Sequence, residues 1–337
     1  MSQDHSAALL NLAYGYVLAQ ALAVAARLRL ADRLQAGPRS AQDLARQAGV
    51  ETAPLTRLLR LLASREIFAE QDGLTFVNTP ASEALIGDDS IRDAVALAGH
   101  SIFWEPVGKL ADSLRTGGPS FDAIFGCGFF DYLARDAAAR DVFNAGMHRN
   151  SVAENVALAR GYPFERFSCV ADVGGGRGGF LLEILKAHSQ LRGVLFDSSE
   201  VIDEACVLYG EIPSQRYQVV GGNFFESVPV AADAILLKRV LHDWDDQQCI
   251  RILRNCARAM RPQDTLVVFD AVLEHEGDPG GKKISDVLLL TVLRGRERTL
   301  DDFQRIFAEA GLSLVSARPT GTGLFAIEGT LRESSAS

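Results

Sequence analysis

From about residue 168 onward the apolar positions fall into short continuous runs separated by amphipathic stretches. The runs cover 169–173, 193–196, 217–220, 234–240, 265–272, 312–317 and 324–328, lengths that suit strands buried on both faces. Between most of them lie helical patterns at 180–187, 201–208, 247–260 and 300–310. Strand and helix in alternation is the signature of a doubly wound α/β sheet. The last two runs are joined only by Pro319-Thr320-Gly321-Thr322-Gly323. A parallel crossover needs a dozen residues or more, so the sheet is expected to finish in an antiparallel hairpin.

The first hundred residues read differently. Ser40 is placed to cap a helix over 41–48, and Thr52-Ala53-Pro54 opens another whose buried side carries Leu55, Leu58, Leu59, Leu61 and Leu62. Two short strand-like runs follow, 67–69 and 74–77, joined by Gln71-Asp72-Gly73, a hairpin signal. Two helices followed by a β-hairpin make a winged-helix-like pattern. Residues 1–100 hold nine Arg, no Lys and eleven Asp or Glu. That net negative balance argues against duplex binding, which needs clustered cations. The whole chain of 337 residues carries a formal charge of −9, and broad contact with nucleic acid or anionic membrane is not expected.

Ser6 to Ala26 contains no charged residue, a length that could just span a bilayer. Asn11, Tyr14, Gly15, Tyr16 and Gln20 interrupt it, and no basic residue precedes it. The favoured reading is a helix buried in this chain or against a second copy, hence a homodimer. Residues 101–160 are rich in aromatics, among them Phe103, Trp104, Phe121, Phe125, Phe129, Phe130, Tyr132 and Phe143. Most are expected in the core, and some could face a flat apolar ligand. The five cysteines (Cys127, Cys169, Cys206, Cys249, Cys256) are scattered and read as reduced thiols of a cytoplasmic protein. No metal-ligand spacing is present, and no metal is expected. Residues 333–337 read as disordered.

Asp172-Val173-Gly174-Gly175-Gly176-Arg177-Gly178-Gly179 follows an apolar run and opens a helix. Glycines there let the backbone turn tightly and approach a ligand that side chains would block. Two patterns fit: G-x-G-x-x-G through Gly174, Gly176 and Gly179, which allows a dinucleotide, and D-x-G-x-G-x-G beginning at Asp172. A sheet of only seven strands, ending in a hairpin, favours the second. Asp197 closes the next strand 23 residues beyond Gly174, where a carboxylate can take ribose hydroxyls. Asn223 and Phe224 follow the third strand, placing an amide and a ring where an adenine would lie. The fourth leads into Lys238-Arg239-Val240-Leu241-His242-Asp243-Trp244.

With these residues in view the chain resembles the class I S-adenosylmethionine-dependent O-methyltransferases that include the plant phenolic and the bacterial polyketide and phenazine enzymes. The glycine motif, Leu241–Trp244, Phe143-Asn144-Ala145-Gly146-Met147 and Gly295-Arg296-Glu297-Arg298-Thr299 occur in the family's order. The resemblance implies a Rossmann-like methyltransferase sheet in 161–332, an aromatic helical linker lining the substrate pocket in 101–160, and a winged-helix-like dimerisation domain in 1–100. It implies S-adenosylmethionine as cofactor, held by Asp172, Gly174, Gly176, Asp197, Asn223, Phe224, Lys238 and Trp244. His242 would be the general base, Asp270 and Glu297 the acids that hold its imidazole, and Phe143, Met147 and Leu289 the residues facing a small aromatic acceptor.

The implied chemistry suits the residue types. A phenol with a pKa near ~10 is a poor nucleophile until deprotonated, and histidine, at about 6.5, is matched to that task. The other histidines (His5, His100, His148, His188, His275) lack such a setting and read as surface or structural. Departures from the family pattern are Asn223 where an acid is usual, Arg239 where a tryptophan is common, and Leu289 near the position of a plant methionine. Methylation of a ring nitrogen, a cofactor-retaining hydroxylase or decarboxylase, an NAD-dependent dehydrogenase and a ligand-sensing DNA-binding regulator stand as the alternatives.

Overall fold

The structure, a computed structural model, describes residues 5–203, 207–273 and 281–332. Residues 204–206 with Cys206, His275 and the tail 333–337 lie outside them; of the helix expected at 201–208 the described part is Ser199–Asp203, and 207–208 belong to a turn. The chain divides into two compact units, Met1–Gly108 with Phe130–Asn150, and Lys109–Phe129 with Ser151–Ser337.

In the first unit Ser40 caps the helix Ala41–Ala48 by accepting from the Asp43 amide. The helix Thr52–Ala63 follows. Three short strands, β1 (Arg39–Ser40), β2 (Phe68–Gln71) and β3 (Thr75–Asn78), form an antiparallel sheet in the order β1-β3-β2. The hairpin turn sits one residue later than expected, because Gln71 pairs with Thr75 and both Gly73 and Leu74 take left-handed φ. Leu44, Leu55, Leu59, Leu62, Phe68 and Phe76 make its core. The uncharged opening stretch is two helices, His5–Ala13 and Gly15–Arg27, broken at Tyr14. Ala21, Ala23, Ala25 and Ala26 are buried, whereas Leu9, Leu10 and Leu12 are 66%, 58% and 77% exposed. Burial within the chain therefore holds only for the second helix. By length and composition alone the stretch His5–Arg27 could cross a membrane.

In the second unit β4 (Cys169–Val173), β5 (Arg192–Asp197), β6 (Tyr217–Gly221), β7 (Ala234–Lys238), β8 (Thr265–Asp270), β9 (Leu312–Pro319) and β10 (Phe325–Leu331) form one sheet. Its order is β6-β5-β4-β7-β8-β10-β9. The first five strands are parallel, and β10 runs antiparallel to both β8 and β9, as the short link predicts. Successive side chains supply opposite cores. Ala171, Ile235, Leu237, Leu266 and Val268 face the helices Asp246–Ala259 and Leu300–Glu309, while Val170, Ala234, Leu236, Val267 and Phe269 face Gly179–Ala187. Burial on both faces is why these strands read as unbroken apolar runs.

Two strands stop sooner than the apolar pattern suggests. β7 ends at Lys238 because Arg239 has φ +52, a left-handed backbone that cannot continue a ladder. β8 ends at Asp270, and Val272 survives only as an isolated bridge to Arg298. Both early endings turn the chain toward the site.

Ile327 on β10 is fully buried, whereas Val315 on β9 is 55% exposed. Ile327→Ala should cost about 2–5 kcal/mol in urea unfolding, and Val315→Ala no more than about 0.5 kcal/mol.

Candidate active site

Five parallel strands end on one edge of the sheet, and the order reverses between β4 and β7. Ligands of open α/β sheets bind outside the carboxyl ends at such a reversal. The glycine loop leaves β4 at that point. Gly174 and Gly176 have φ of +71° and +58°, which disfavours any residue with a Cβ. A Cβ at Gly176 would meet nothing within 4 Å, so the loop leaves open space above its backbone. Asp197, at the end of β5, accepts from the Gly176 amide at 2.7 Å through Oδ2 and from the Ser198 amide at 2.7 Å through Oδ1. Its pKa is raised by burial, against which those amides work. Asp172 is 1% exposed and its Oδ2 has no partner among the described residues. Burial pushes its carboxyl up to about 7 despite the opposing Lys238.

Asn223 sits in the turn after β6. Its Oδ1 accepts from the Phe225 amide at 2.9 Å and its Nδ2 donates to Glu226. Phe224, Phe225 and Trp244 pack edge to face, with centroids 4.7–6.0 Å apart, and Asn255 donates to the Phe224 carbonyl at 2.7 Å. Lys238 is engaged elsewhere: its Nζ pairs with Glu154 at 2.8 Å and stands over the Phe180 ring. Glu154 also takes Arg239 in a fork, Nε at 3.0 Å and a terminal nitrogen at 2.7 Å.

His242 lies in the 3-10 turn Leu241–Asp243. Its Nδ1 is 3.4 Å from Glu297 Oε1 and its Nε2 3.3 Å from Asp243 Oδ1. Glu297 is buried and fixed from the helix Gly281–Val292, with Ser285 Oγ donating to Oε1 at 2.8 Å and its own amide donating to Asp286 at 2.9 Å. Asp270 is fully buried, and neither carboxyl oxygen has a hydrogen-bond partner among the described residues. Burial alone would lower the His242 pKa, but the charges of Asp243, Asp270 and Glu297 outweigh it and lift it to about 9. Burial raises Asp270 to about 7 and Asp243 to about 6. Glu297 is pulled below its ordinary value, because its bonds to His242 and Ser285 overcome burial.

His242, Asp270 and Glu297 are thus brought into one group, and Asp172, Gly174, Gly176 and Asp197 into another, all in the second unit. Leu289 is in that unit, 8% exposed on the helix Gly281–Val292. Phe143 and Met147 belong to the first unit, on the helix Ala137–Gly161, where Phe143 lies 6.4 Å from Phe103. Sequence reasoning missed Glu154, Asp243, Ser285 and Asp286. Two consecutive cations at the end of a buried strand, Lys238 and Arg239, were the available signal that an acid had to meet them. Among the described residues no group of His, Cys, Asp and Glu could hold a metal ion.

Comparison with known proteins places this geometry. Residues 107–313 match the O-methyltransferase domain family and residues 10–88 the O-methyltransferase dimerisation domain. The phenazine O-methyltransferase of Lysobacter antibioticus is 35% identical over 328 residues, 96% of this chain and 95% of its own. The mitomycin biosynthesis 6-O-methyltransferase of Streptomyces lavendulae is 36% identical over 314 residues, 90% of this chain and 88% of its own. The crystal structure of a methyltransferase of calicheamicin biosynthesis, in its S-adenosylhomocysteine-bound form, superposes with a TM-score of 0.84 at 37% identity, covering 98% of this chain and 99% of that one. The dinucleotide reading of the glycine loop is thereby set aside, and the chain belongs to the O-methyltransferase family, as an enzyme that uses S-adenosylmethionine.

Proposed function

We propose that this enzyme methylates a phenolic hydroxyl of a planar aromatic secondary metabolite, of the polyketide or phenazine kind, with His242 as general base. The observation that carries this reading is the His242 imidazole set between Glu297 and Asp243, with the charge of the buried Asp270 acting on it. The phenazine named for one relative, and the antibiotic biosynthesis named for the other, support the acceptor class.

The cofactor residues are assigned as Asp172, Gly174, Gly176, Asp197, Asn223, Phe224, Lys238 and Trp244. The open space over Gly176 and the unpartnered Asp172 Oδ2 suit a ligand with a polar, cationic portion. S-adenosylmethionine supplies, when bound, a methyl group on a sulfonium. Asp197 holds the loop through the Gly176 amide and keeps lone pairs for ribose hydroxyls. Lys238, neutralised by Glu154, would act by holding the strand end and opposing Asp172. Phe143, Met147 and Leu289 are assigned to acceptor recognition on the resemblance alone.

His242 must be neutral at one nitrogen to take the phenol proton. Carboxylates at both nitrogens favour the imidazolium, so the acceptor hydroxyl has to take the place of Asp243 at Nε2. Nδ1–H then remains on Glu297, which fixes the tautomer and stabilises the charge that arrives. Above about pH 7 Asp270 adds a second negative charge, without directing a hydrogen bond at the ring.

The enzyme is further read as a cytoplasmic homodimer, divided into a dimerisation domain (1–100), an acceptor-lining linker (101–160) and a methyltransferase domain (161–332). The exposed leucines at 9, 10 and 12 support association, since a row of bare apolar residues is unfavourable in water.

Three measurements test these points. In a panel of phenols, kcat/KM should rise with pH toward a plateau above about 9. Asp243→Asn should move that limb to lower pH, and His242→Ala should lose about 10²–10⁴-fold in rate; an unmoved limb with retained rate would remove His242 from the chemistry. In calorimetric titration Asp197→Ala should weaken S-adenosylmethionine binding about 10–100-fold, with no binding of NAD to either protein. In sedimentation the wild type should run as a dimer and Leu9→Glu/Leu12→Glu as a monomer; a dimer in both would place the interface elsewhere.

A further inference from the structure

The Gly295–Thr299 stretch gives the site Glu297, but the buried residue beside it has so far had no part in the chemistry. Arg298 has a side chain with no exposed surface, and its guanidinium points into the turn that carries His242. One terminal nitrogen donates to the Leu241 carbonyl at 2.7 Å and the other to the Trp244 carbonyl at 2.8 Å. Nε and a terminal nitrogen also donate to Asp246 Oδ1, at 3.0 and 2.9 Å. The turn's own hydrogen bonds are longer, Asp243 to Val240 at 3.2 Å and Trp244 to Leu241 at 3.3 Å. The turn is therefore held mainly from outside, at the residues on either side of His242 and Asp243.

The backbone of the same stretch closes the other side. A Cβ at Gly295 would lie 1.9 Å from the His242 carbonyl oxygen, so main chain packs on main chain. The Arg298 carbonyl accepts from the Leu273 amide at 2.9 Å, and Arg298 bridges Val272, tying it to the segment that leaves Asp270. Glu297 and Asp270 thus have the same neighbour that grips the histidine turn.

We propose that Arg298 is a positioning residue for the base: it fixes the distance from His242 to Glu297 and Asp270. This rests on the reading of His242 as base, but the arrangement it describes can be measured without turnover. The charged groups facing the imidazole are Asp243 on its own turn, Asp270 from β8, Glu297 from the 295–299 stretch and, beyond these acids, Arg239 from the end of β7.

The test is the titration midpoint of the His242 ring, followed by NMR on the full chain saturated with S-adenosylhomocysteine, its signal assigned by loss in His242→Gln. Arg298→Lys and Asp246→Glu both keep charge, so a displaced midpoint reports geometry. Each should lower it by about one unit or more toward ordinary histidine, while Arg305→Gln, which removes an exposed partner of Asp246, leaves it in place. In turnover Arg298→Lys should lose about 10²-fold in kcat with the cofactor KM within about twofold. An unmoved midpoint in Arg298→Lys, or in Asp246→Glu where the first variant does not fold, overturns the proposal, as does a loss of kcat matched by an equal loss of cofactor affinity. Wild-type methylation by His242→Gln would instead sink the base reading and leave the midpoint as the measure of what Arg298 does.

Discussion

Carboxylates withdrawn from water need a cation against them or a proton on them, and that requirement organises the catalytic half of this protein. Glu297 is buried at 3.4 Å from one nitrogen of the imidazole, Asp243 stands at the other, and the buried Asp270 acts on the ring through its charge. Three acids share a histidine and the more distant charge of Arg239. The imidazolium is therefore the favoured partner, and the same electrostatics that make His242 a strong proton acceptor also keep it occupied at neutral pH. On the proposed reading, an acceptor that took the place of Asp243 at Nε2 would relieve one carboxylate and free the base in a single event. The site would then stay quiet until it is filled.

The second organising pair is cationic. Lys238 and Arg239 end a strand buried on both faces, and Glu154 meets both. That one carboxylate lets the chain leave the sheet through a left-handed residue and turn into the His242 segment. Arg239 is accordingly more than a surface residue: its ionic fork with Glu154 fixes the chain where it leaves the sheet.

The α/β half was legible in the sequence because strands buried on both faces leave unbroken apolar runs, and because the link 319–323 is too short to cross a sheet. The glycine loop, Asp197 and the His242 turn were legible as local motifs whose residue types have few other uses together. What stayed hidden lies far along the chain from what it touches. Glu154 is 85 residues from Arg239, in a helix where a charge reads as a solvated face, and Ser285 and Asp286 look like the polar side of an amphipathic helix. The early ends of β7 and β8 were hidden for another reason. Val240 and Val272 are buried in the same core as the strands, so hydrophobicity continues where the ladder does not. In the first unit the apolar opening was read as one helix, and only the structure separates its buried alanines from its bare leucines.

The position of β10 bears on how the protein is made. It pairs with both β8 and β9, yet it is translated after either of them. Until β10 is made β8 has a bare edge, and β9 has no strand to pair with. Exposed strand edges are templates for pairing between molecules, and at about 5–20 residues per second the wait is long on the scale of strand pairing. The helix Leu300–Glu309, made between β8 and β9, packs Phe303, Ile306 and Phe307 on the same core. It can hold the half-finished sheet together meanwhile. The docking of that helix is a matter of rate, which the stability of the finished enzyme does not reveal.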